Sequence, residues 1–365
     1  MKIGITIDLS IAFWANGAQQ NIVFLNHLLS SSRQHECFYI ADEDPNHKLN
    51  KGDGSIMIDN LMRDKSIKLD VLIVAGCVLP QYVYDELKKR NKNIKIILIH
   101  CFNKLMDDIH YTINHNDISR NPEEKPRHLS QIWILPHHDF SIEYIKAYYN
   151  FNEVREVPYL WNSFFVDQKL EELTTKNQTL QFQSKDVNRV CIFEPNFSHI
   201  KNCIIPLMIC EKFQQLFPGE LQSVNVFSCE KLREKQFFGK FVKRLSLIKD
   251  SDGLCFFNNR WSTLAGLSRW GNTVVSHQMN NSLNYAHLEV LYLGLPLVHN
   301  SHKLMDLGYY YPDFDIDMAA KQLKNAILNH GQTIIQYKND VRRELEKFSP
   351  HYQSNIDAYN NLLNE

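Results

Sequence analysis

The sequence predicts an α/β protein of two domains of similar size. Three observations predict it. Strand-like and helix-like segments alternate in both halves of the 365 residues. The runs 71–75 and 94–99 are almost uninterruptedly apolar, as parallel strands covered on both faces are. A stretch rich in Lys, Glu, Gln and Thr, 170–186, divides the halves and reads as a linker. The length also exceeds one ordinary core and suits two.

In the first half, residues 2–7 read as a strand, 20–29 as a helix and 36–40 as a second strand. The apolar run 71–75 is a third strand, 82–90 a crossover helix and 94–99 the next strand. A strand at 131–135, the pair His137-His138, a helix at 141–149 and a strand at 154–158 complete the half. The second half repeats the pattern: strand 189–193, helix 201–217, strand 223–227, helix 230–245, strand 253–257, helix 261–270. Residues 273–300, TVVSHQMNNSLNYAHLEVLYLGLPLVHN, then give strand, polar loop, helix, Gly-Pro turn and strand. A helix at 317–329 follows, and 336–363 is helical apart from a break at Pro350. Ligands are expected where strand C-termini open.

Composition narrows the class. A hydrophobic content of 44% is that of a globular chain. Forty basic residues against forty-one acidic ones give no global field for nucleic acid or membrane. The eight cysteines are dispersed, several inside apolar runs such as Leu254-Cys255-Phe256, without zinc-ligand spacing, so reduced thiols are expected. The opening MKIGITIDLS is interrupted at Asp8 and is too short for a secretion signal. No apolar run reaches transmembrane length. A cytoplasmic protein without integral membrane contact or an obligate protein partner is expected.

The stretch 273–300 carries most chemistry. A loop that ends a buried strand and opens a helix directs unpaired N–H groups and the helix dipole toward an anion. Glu289, flanked by Leu288 and Val290 one to two turns further on, reaches sugar hydroxyls attached to such a phosphate. The layout suits a nucleotide-sugar; an ordinary βαβ unit that binds nothing is the alternative.

This stretch resembles the donor-site signature of retaining GT-B glycosyltransferases, the E-x7-E class. Ser276 stands for the serine after the strand, Asn281-Ser282-Leu283-Asn284 for the E-G-F-G loop, Glu289 for the second glutamate, and Gly294-Leu295-Pro296 for Gly-x-Pro. The spacing from Asn281 to Glu289 is kept, with an amide in place of the first acid. The whole chain also resembles a GT-B-like family of bacteria and their phages, through Asn21, FEPNFSHIKNCIIPLMICE, VPYLW and NSLNYAHLEVLYLGLPLVHNS. The resemblance implies two Rossmann-like domains facing a central cleft: an acceptor-side domain 1–168, a linker 169–186, a nucleotide-sugar domain 187–335, and helices 336–365 crossing back to the first domain. It implies a glycosyltransferase of a bacterial cell or phage-infected host, retention of configuration, a UDP-sugar donor and no cofactor or metal. Glu289 would hold the ribose, and the backbone at Leu283 and Asn284 the pyrophosphate.

Other residues are placed with its help. Asn16-Gly17 opens the first helix, where a glycine admits a close ligand and N–H groups can take an oxygen; a plain βα turn explains it as well. The family often uses a glycine-rich loop there, so Gly17 is assigned to the donor and Asn16, Gln20 and Asn21 to the acceptor. His100 follows a central strand, where the family places a histidine touching the donor sugar. It could bond a hydroxyl or stabilise charge, or be a satisfied buried group; Asn103 is a second acceptor candidate. In the segment after strand 189–193, Glu194 is assigned to the donor, and Lys201 matches the family's diphosphate-binding lysine. A lysine at a helix start is unfavourable without an anion. The family's arginine is missing, and Arg260 or Arg269 could supply that charge.

Two patterns are read more plainly. Residues 231–249 hold seven basic residues, one acid and Phe237, Phe238 and Phe241. Nucleic acid could bind there, but phenylalanines packed on the sheet beneath solvated lysines are favoured. The Asp313/Asp315/Asp317 run has the oxygens for a cation, yet Asp317 sits where a helix cap is needed. His137 and His138 resemble ligands but should point apart on a strand end.

No side chain stands out as a base; in a front-face transfer the leaving phosphate takes the acceptor proton. The acceptor is open between a glycan or lipid-linked saccharide and hydroxymethylated bases of phage DNA, the latter needing a basic rim and a flipped base. Residues 1–150 carry seventeen basic and eighteen acidic side chains, although 88–95 forms a local basic stripe. A sugar-nucleotide epimerase and a non-catalytic binding module are the rival readings.

Overall fold

In the computed structural model, residues 1–10, 17–31, 34–41, 54–113, 122–249 and 253–365 are described. The chain divides into two units, Met1–Asn162 with Glu346–Glu365, and Ser163–Leu345.

The first unit contains β1 (Lys2–Ile7), α1 (Gly17–Ser31), β2 (Glu36–Ala41), β3 (Ser55–Met57), α2 (Ile58–Arg63), β4 (Val71–Val74) and α3 (Gln81–Arg90). Then come β5 (Lys95–His100), α4 (Lys104–Ile113), β6 (Leu129–Ile134), α5 (Ile142–Tyr149) and β7 (Val154–Glu156). Its sheet runs β3-β2-β1-β4-β5-β6-β7, with parallel pairings throughout. All four residues of β4 are buried. Because successive side chains point to opposite sides, both faces of the sheet are covered there.

The second unit contains α6 (Phe164–Thr175), β8 (Arg189–Ile192), α7 (Ile204–Leu216), β9 (Ser223–Val226), α8 (Glu230–Arg233), α9 (Gln236–Val242), α10 (Ser246–Lys249) and β10 (Cys255–Phe257). It continues with α11 (Thr263–Trp270), β11 (Thr273–Val275), α12 (Tyr285–Tyr292), β12 (Leu297–His299), β13 (Tyr309–Tyr310) and α13 (Ile316–Glu346). Its sheet, β10-β9-β8-β11-β12-β13, is also parallel. The last helix, α14 (Gln353–Asn364), packs in the first unit: Tyr359 donates to the Pro158 carbonyl at 2.8 Å and meets the Trp133 ring edge-on.

Several expectations change. The predicted helix 230–245 is two short helices, α8 and α9, and a third, α10, follows from Ser246, where the buried Glu211 carboxylate accepts the backbone N–H groups of Ser246 and Leu247 and starts a new turn. Phe237 is 81% exposed while Phe238 is buried, so the three phenylalanines do not share a packed face. Helices expected at 317–329 and from 336 fuse into α13, with Gly331 packed toward Ser184 and Phe182. Its cap is Asp315, which accepts the Met318 N–H at 2.8 Å; Asp317 instead pairs with Lys212. The start of the stretch expected as a linker, 170–175, lies in α6, which buries Val166 and Leu173. β3, α2, α4 and β13 were not read from the sequence.

Both sheets reverse their winding between neighbouring strands, at β1/β4 and at β8/β11, and ligands of open α/β sheets bind outside the carboxyl ends at such points. In the first unit the reversal is tightly closed. A Cβ on Gly76 would lie 2.6 Å from the Asp8 nitrogen and 2.8 Å from the Ile7 Cα. Only glycine permits that approach. Gly76→Ala is therefore expected to lower stability by about 1–3 kcal/mol, read as an earlier urea midpoint; an unchanged midpoint would contradict this contact.

Candidate functional site

At the reversal in the second unit, β8 and β11 end side by side, and the next residues are polar. Glu194, 3% exposed, accepts hydrogen bonds from the Ser276 hydroxyl and from Gln278 Nε2 at 2.8 Å, and from the His277 N–H. Gln278 Oε1 accepts from Asn281 Nδ2 at 3.0 Å. Asn300, just past β12, accepts the Gln278 N–H at 2.9 Å and donates to its carbonyl at 2.9 Å. The loop after β11 is thus held from two sides.

The donors and acceptors fix one consistent proton arrangement. The Ser276 proton goes to Glu194, so its oxygen accepts from His287 Nε2 at 2.7 Å. His287 Nδ1 is then the acceptor for the Ser301 hydroxyl at 3.0 Å. His299 Nδ1 accepts the Ser301 N–H, and its Nε2 donates to the Leu307 carbonyl at 2.8 Å. Both rings are neutral: burial lowers the pKa of His287 well below the ordinary value and that of His299 to about 4. Burial pushes Glu194 up to about 7, opposed by the Ser276 bond and the charge of Lys201.

Lys201 stands in a bend before α7, not at its first turn, because the helix begins at Ile204. Asn196, with φ of 59°, shapes this bend: its Oδ1 accepts the Cys203 N–H at 2.8 Å and its amide donates to the Phe227 carbonyl. The Ile200 carbonyl accepts the Met279 N–H at 3.0 Å, tying the bend to the loop after β11. Lys201 is close enough for its charge to act on both Glu194 and His287.

The structure therefore brings Glu194, Lys201, Ser276 and Asn281 into one cluster. Ser282 follows in the same loop, 5% exposed, and its hydroxyl has no partner among the described residues. Leu283 is buried, and Asn284 caps α12 by accepting the Ala286 N–H at 3.2 Å. That cap occupies one of the donors expected to be free. Glu289 lies on α12 outside the network, bonded by the Thr263 side chain; burial raises its pKa to about 7. Arg260 is exposed, with its N–H bonded to Glu230, and the Arg269 guanidinium lies 5.0 Å over the Trp270 ring. Gln278, His287, Asn300, Ser301 and Asn196 were missed. A polar residue two before Glu289 in an otherwise apolar helix was the available signal for His287.

In the first unit, Gly17 is the first residue of α1, and Gln20 and Asn21 are buried along it. Asn21 Oδ1 accepts the Cys101 thiol at 3.7 Å. Asn16 lies outside the described residues. Asn103 caps α4 by accepting the Met106 N–H at 3.2 Å. His100 ends β5 at 1% exposure, stacked on Tyr149 with ring centroids 5.7 Å apart. Neither ring nitrogen has a hydrogen-bond partner among the described residues, and burial lowers its pKa to about 3. His137 and His138 do not point apart: they lie in a 3-10 turn, Pro136–Ser141, with ring centroids 3.8 Å apart. Among the described residues, no three His, Cys, Asp or Glu side chains gather as metal ligands, and no helix is long and apolar enough to cross a membrane.

Two Rossmann-like units with parallel sheets are the architecture of the GT-B glycosyltransferases. The solved structures agree in fold. A sucrose-phosphate synthase from Thermosynechococcus elongatus is 10% identical and matches with a TM-score of 0.59 over 100% of this chain and 98% of its own. A DNA-modifying beta-glucosyltransferase, solved with and without its substrate uridine diphosphoglucose, is 11% identical, with a TM-score of 0.55 over 100% of both chains. S. aureus TarM, solved with fondaparinux, alpha-GlcNAc-glycerol and UDP, is 13% identical with a TM-score of 0.52; the match covers 81% of this chain but only 55% of TarM. No curated protein matches the sequence. The chain belongs to the family described as "Protein of unknown function (DUF2827)", which matches residues 3–363.

Two outcomes test the site's physics. Ser276→Ala leaves Glu194 and His287 each short of a buried bond and should cost about 1–3 kcal/mol, seen as a lower Tm; a Tm equal to wild type would refute the network. His100, with its folded pKa below the ordinary 6.5, favours folding above that value. This contribution is lost as pH falls toward about 3, with a slope of up to about 1.4 kcal/mol per pH unit. His100→Leu should flatten the acid limb of a pH–stability curve, and an unaltered limb would show that His100 does not set it.

Proposed function

We propose that this protein is a glycosyltransferase that moves a sugar from a nucleotide-sugar, a UDP-sugar, to an acceptor hydroxyl with retention of configuration. The observation that carries the reading is the buried Glu194–Ser276–His287 network at the β8/β11 reversal, with Lys201 beside it. It lies where open parallel sheets bind nucleotides.

In this reading the Lys201 ammonium and the N–H groups of the loop through Ser282, Leu283 and Asn284 stabilise the diphosphate as it departs, the main electrostatic contribution to such a transfer. The Ser282 hydroxyl adds a donor. Glu289 accepts the ribose hydroxyls, and the neutral His100 bonds a substrate hydroxyl. Glu194 positions rather than reacts, because its oxygens are already bonded to Ser276, Gln278 and the His277 N–H. The oxygen of the leaving phosphate takes the acceptor proton, so no side-chain base is needed.

Calorimetric titration with UDP tests these roles. Lys201→Ala should weaken binding about 10- to 100-fold, the loss of a charged hydrogen bond. Glu289 must be ionised to accept two hydroxyls, and its pKa is raised to about 7, so wild-type affinity should fall as pH drops below that value. Glu289→Gln should bind more weakly and without that pH dependence. If a panel of UDP-, GDP- and CMP-sugars neither shifts the Tm nor is hydrolysed, the proposal fails.

A further inference from the structure

The first unit holds a cavity of about 550 Å³ beside α5, and a second of about 300 Å³ reaching α4; Pro122, Glu123 and Tyr148 form part of the wall of both. We propose that this hollow is a binding site for a neutral, hydroxyl-rich saccharide. In calling that saccharide the acceptor, the inference rests on the transferase reading; as a binding site it does not.

The lining is aromatic and acidic together. Tyr148 and Tyr149 meet edge to face, with ring centroids 4.8 Å apart, and Tyr111 and Tyr144 line the smaller part. Tyrosine faces offer a flat apolar surface to the C–H face of a pyranose ring, and few rotamers are lost on binding. Carboxylates accept hydroxyl protons, and Asp108, Glu123 and Glu124 all line the hollow. Its polar groups are held in place before any ligand arrives. Tyr144 donates to Asp108, and Tyr148 donates to the Glu123 carbonyl at 3.0 Å.

Charge selects the ligand class. Lys104 is 2% exposed, paired with Asp108, and its ammonium lies 3.9 Å over the Tyr148 ring. Its charge is therefore already neutralised, and the other charged side chains of the lining are Glu123, which also acts on Tyr149, Glu124, which accepts from Gln81, and Lys125. A phosphodiester or sugar phosphate would meet carboxylates; neutral hydroxyls would not be repelled. A further observation lies behind Tyr149, at a buried residue that does not itself line the hollow. His100, with both ring nitrogens unpartnered, stacks on Tyr149, and its Nδ1 lies 4.0 Å from a Glu123 oxygen. Buried polar atoms without partners are rare in native folds and mark sites where another group is expected.

The test is calorimetry and saturation-transfer NMR on the full chain with chitotriose, maltotriose and mannotriose, and with a short single-stranded DNA. At least one trisaccharide should bind and the DNA should not displace it. Tyr148→Ala should weaken binding about ten-fold or more, the worth of an aromatic contact. Tyr148→Phe keeps the ring and loses only the bond to the Glu123 carbonyl, so it should bind within a few-fold of wild type. UDP affinity should be the same in both variants. Failure of every trisaccharide, full binding by Tyr148→Ala, or displacement by DNA would overturn the inference. If UDP binds and the saccharides do not, this inference fails alone; if the saccharides bind and UDP does not, the transferase reading fails alone.

Discussion

The buried hydrogen bond between Ser276 and Glu194 is the constraint around which the second unit is arranged. A carboxylate at 3% exposure is costly unless its oxygens are satisfied. The donors come from the end of β11 and the loop beyond it, so the two strand ends must stay in register. That requirement sets the path of the loop through Gln278 and Asn281, fixes the tautomer of His287, and reaches Ser301 after β12. The site is consequently stiff before a ligand arrives, and a stiff polar site needs little reorganisation to stabilise charge.

The two units treat the same topological position differently. In the second, the gap between diverging strands is filled with polar side chains. In the first, the Thr6 hydroxyl accepts the Ala75 N–H and donates to the Cys77 carbonyl, and Gly76 closes against the backbone of Ile7 and Asp8. Both ring nitrogens of His100, two strands from β1, lack a hydrogen-bond partner among the described residues. A single architecture thus supports two chemical surfaces, one built around a cation and amides, the other around tyrosines and carboxylates.

Much of the fold was legible because buried parallel strands write themselves as apolar runs; β4 and β5 lie where those runs are. The short elements were not. β3 has three residues and β13 two, too few for a period to show. Nothing local marked a helix start at Ser246, because Glu211, which caps it, lies on a helix distant in sequence. Asp315 and Asp317 both satisfy the rules for a cap, and only the backbone register chooses between them. The candidate site was half legible for a similar reason. Ser276, Asn281 and Ser282 lie in one local stretch. His287 and Ser301 gain their roles only when α12 and the end of β12 come together, 11 and 25 residues beyond Ser276. Expecting His137 and His138 to diverge assumed strand alternation, and a 3-10 turn removed that assumption.

Helix α14 belongs to the first unit although residues 163–345, the whole of the second, are synthesised before it. Trp133 and Gln131 on β6, and the carbonyl of Pro158, wait for Tyr359 and Leu362 to arrive. On the ribosome, then, the domain begun first is completed last. The emerging chain carries an unfinished apolar face through the making of an entire second domain, and that face is covered only when the last helix has itself left the ribosome.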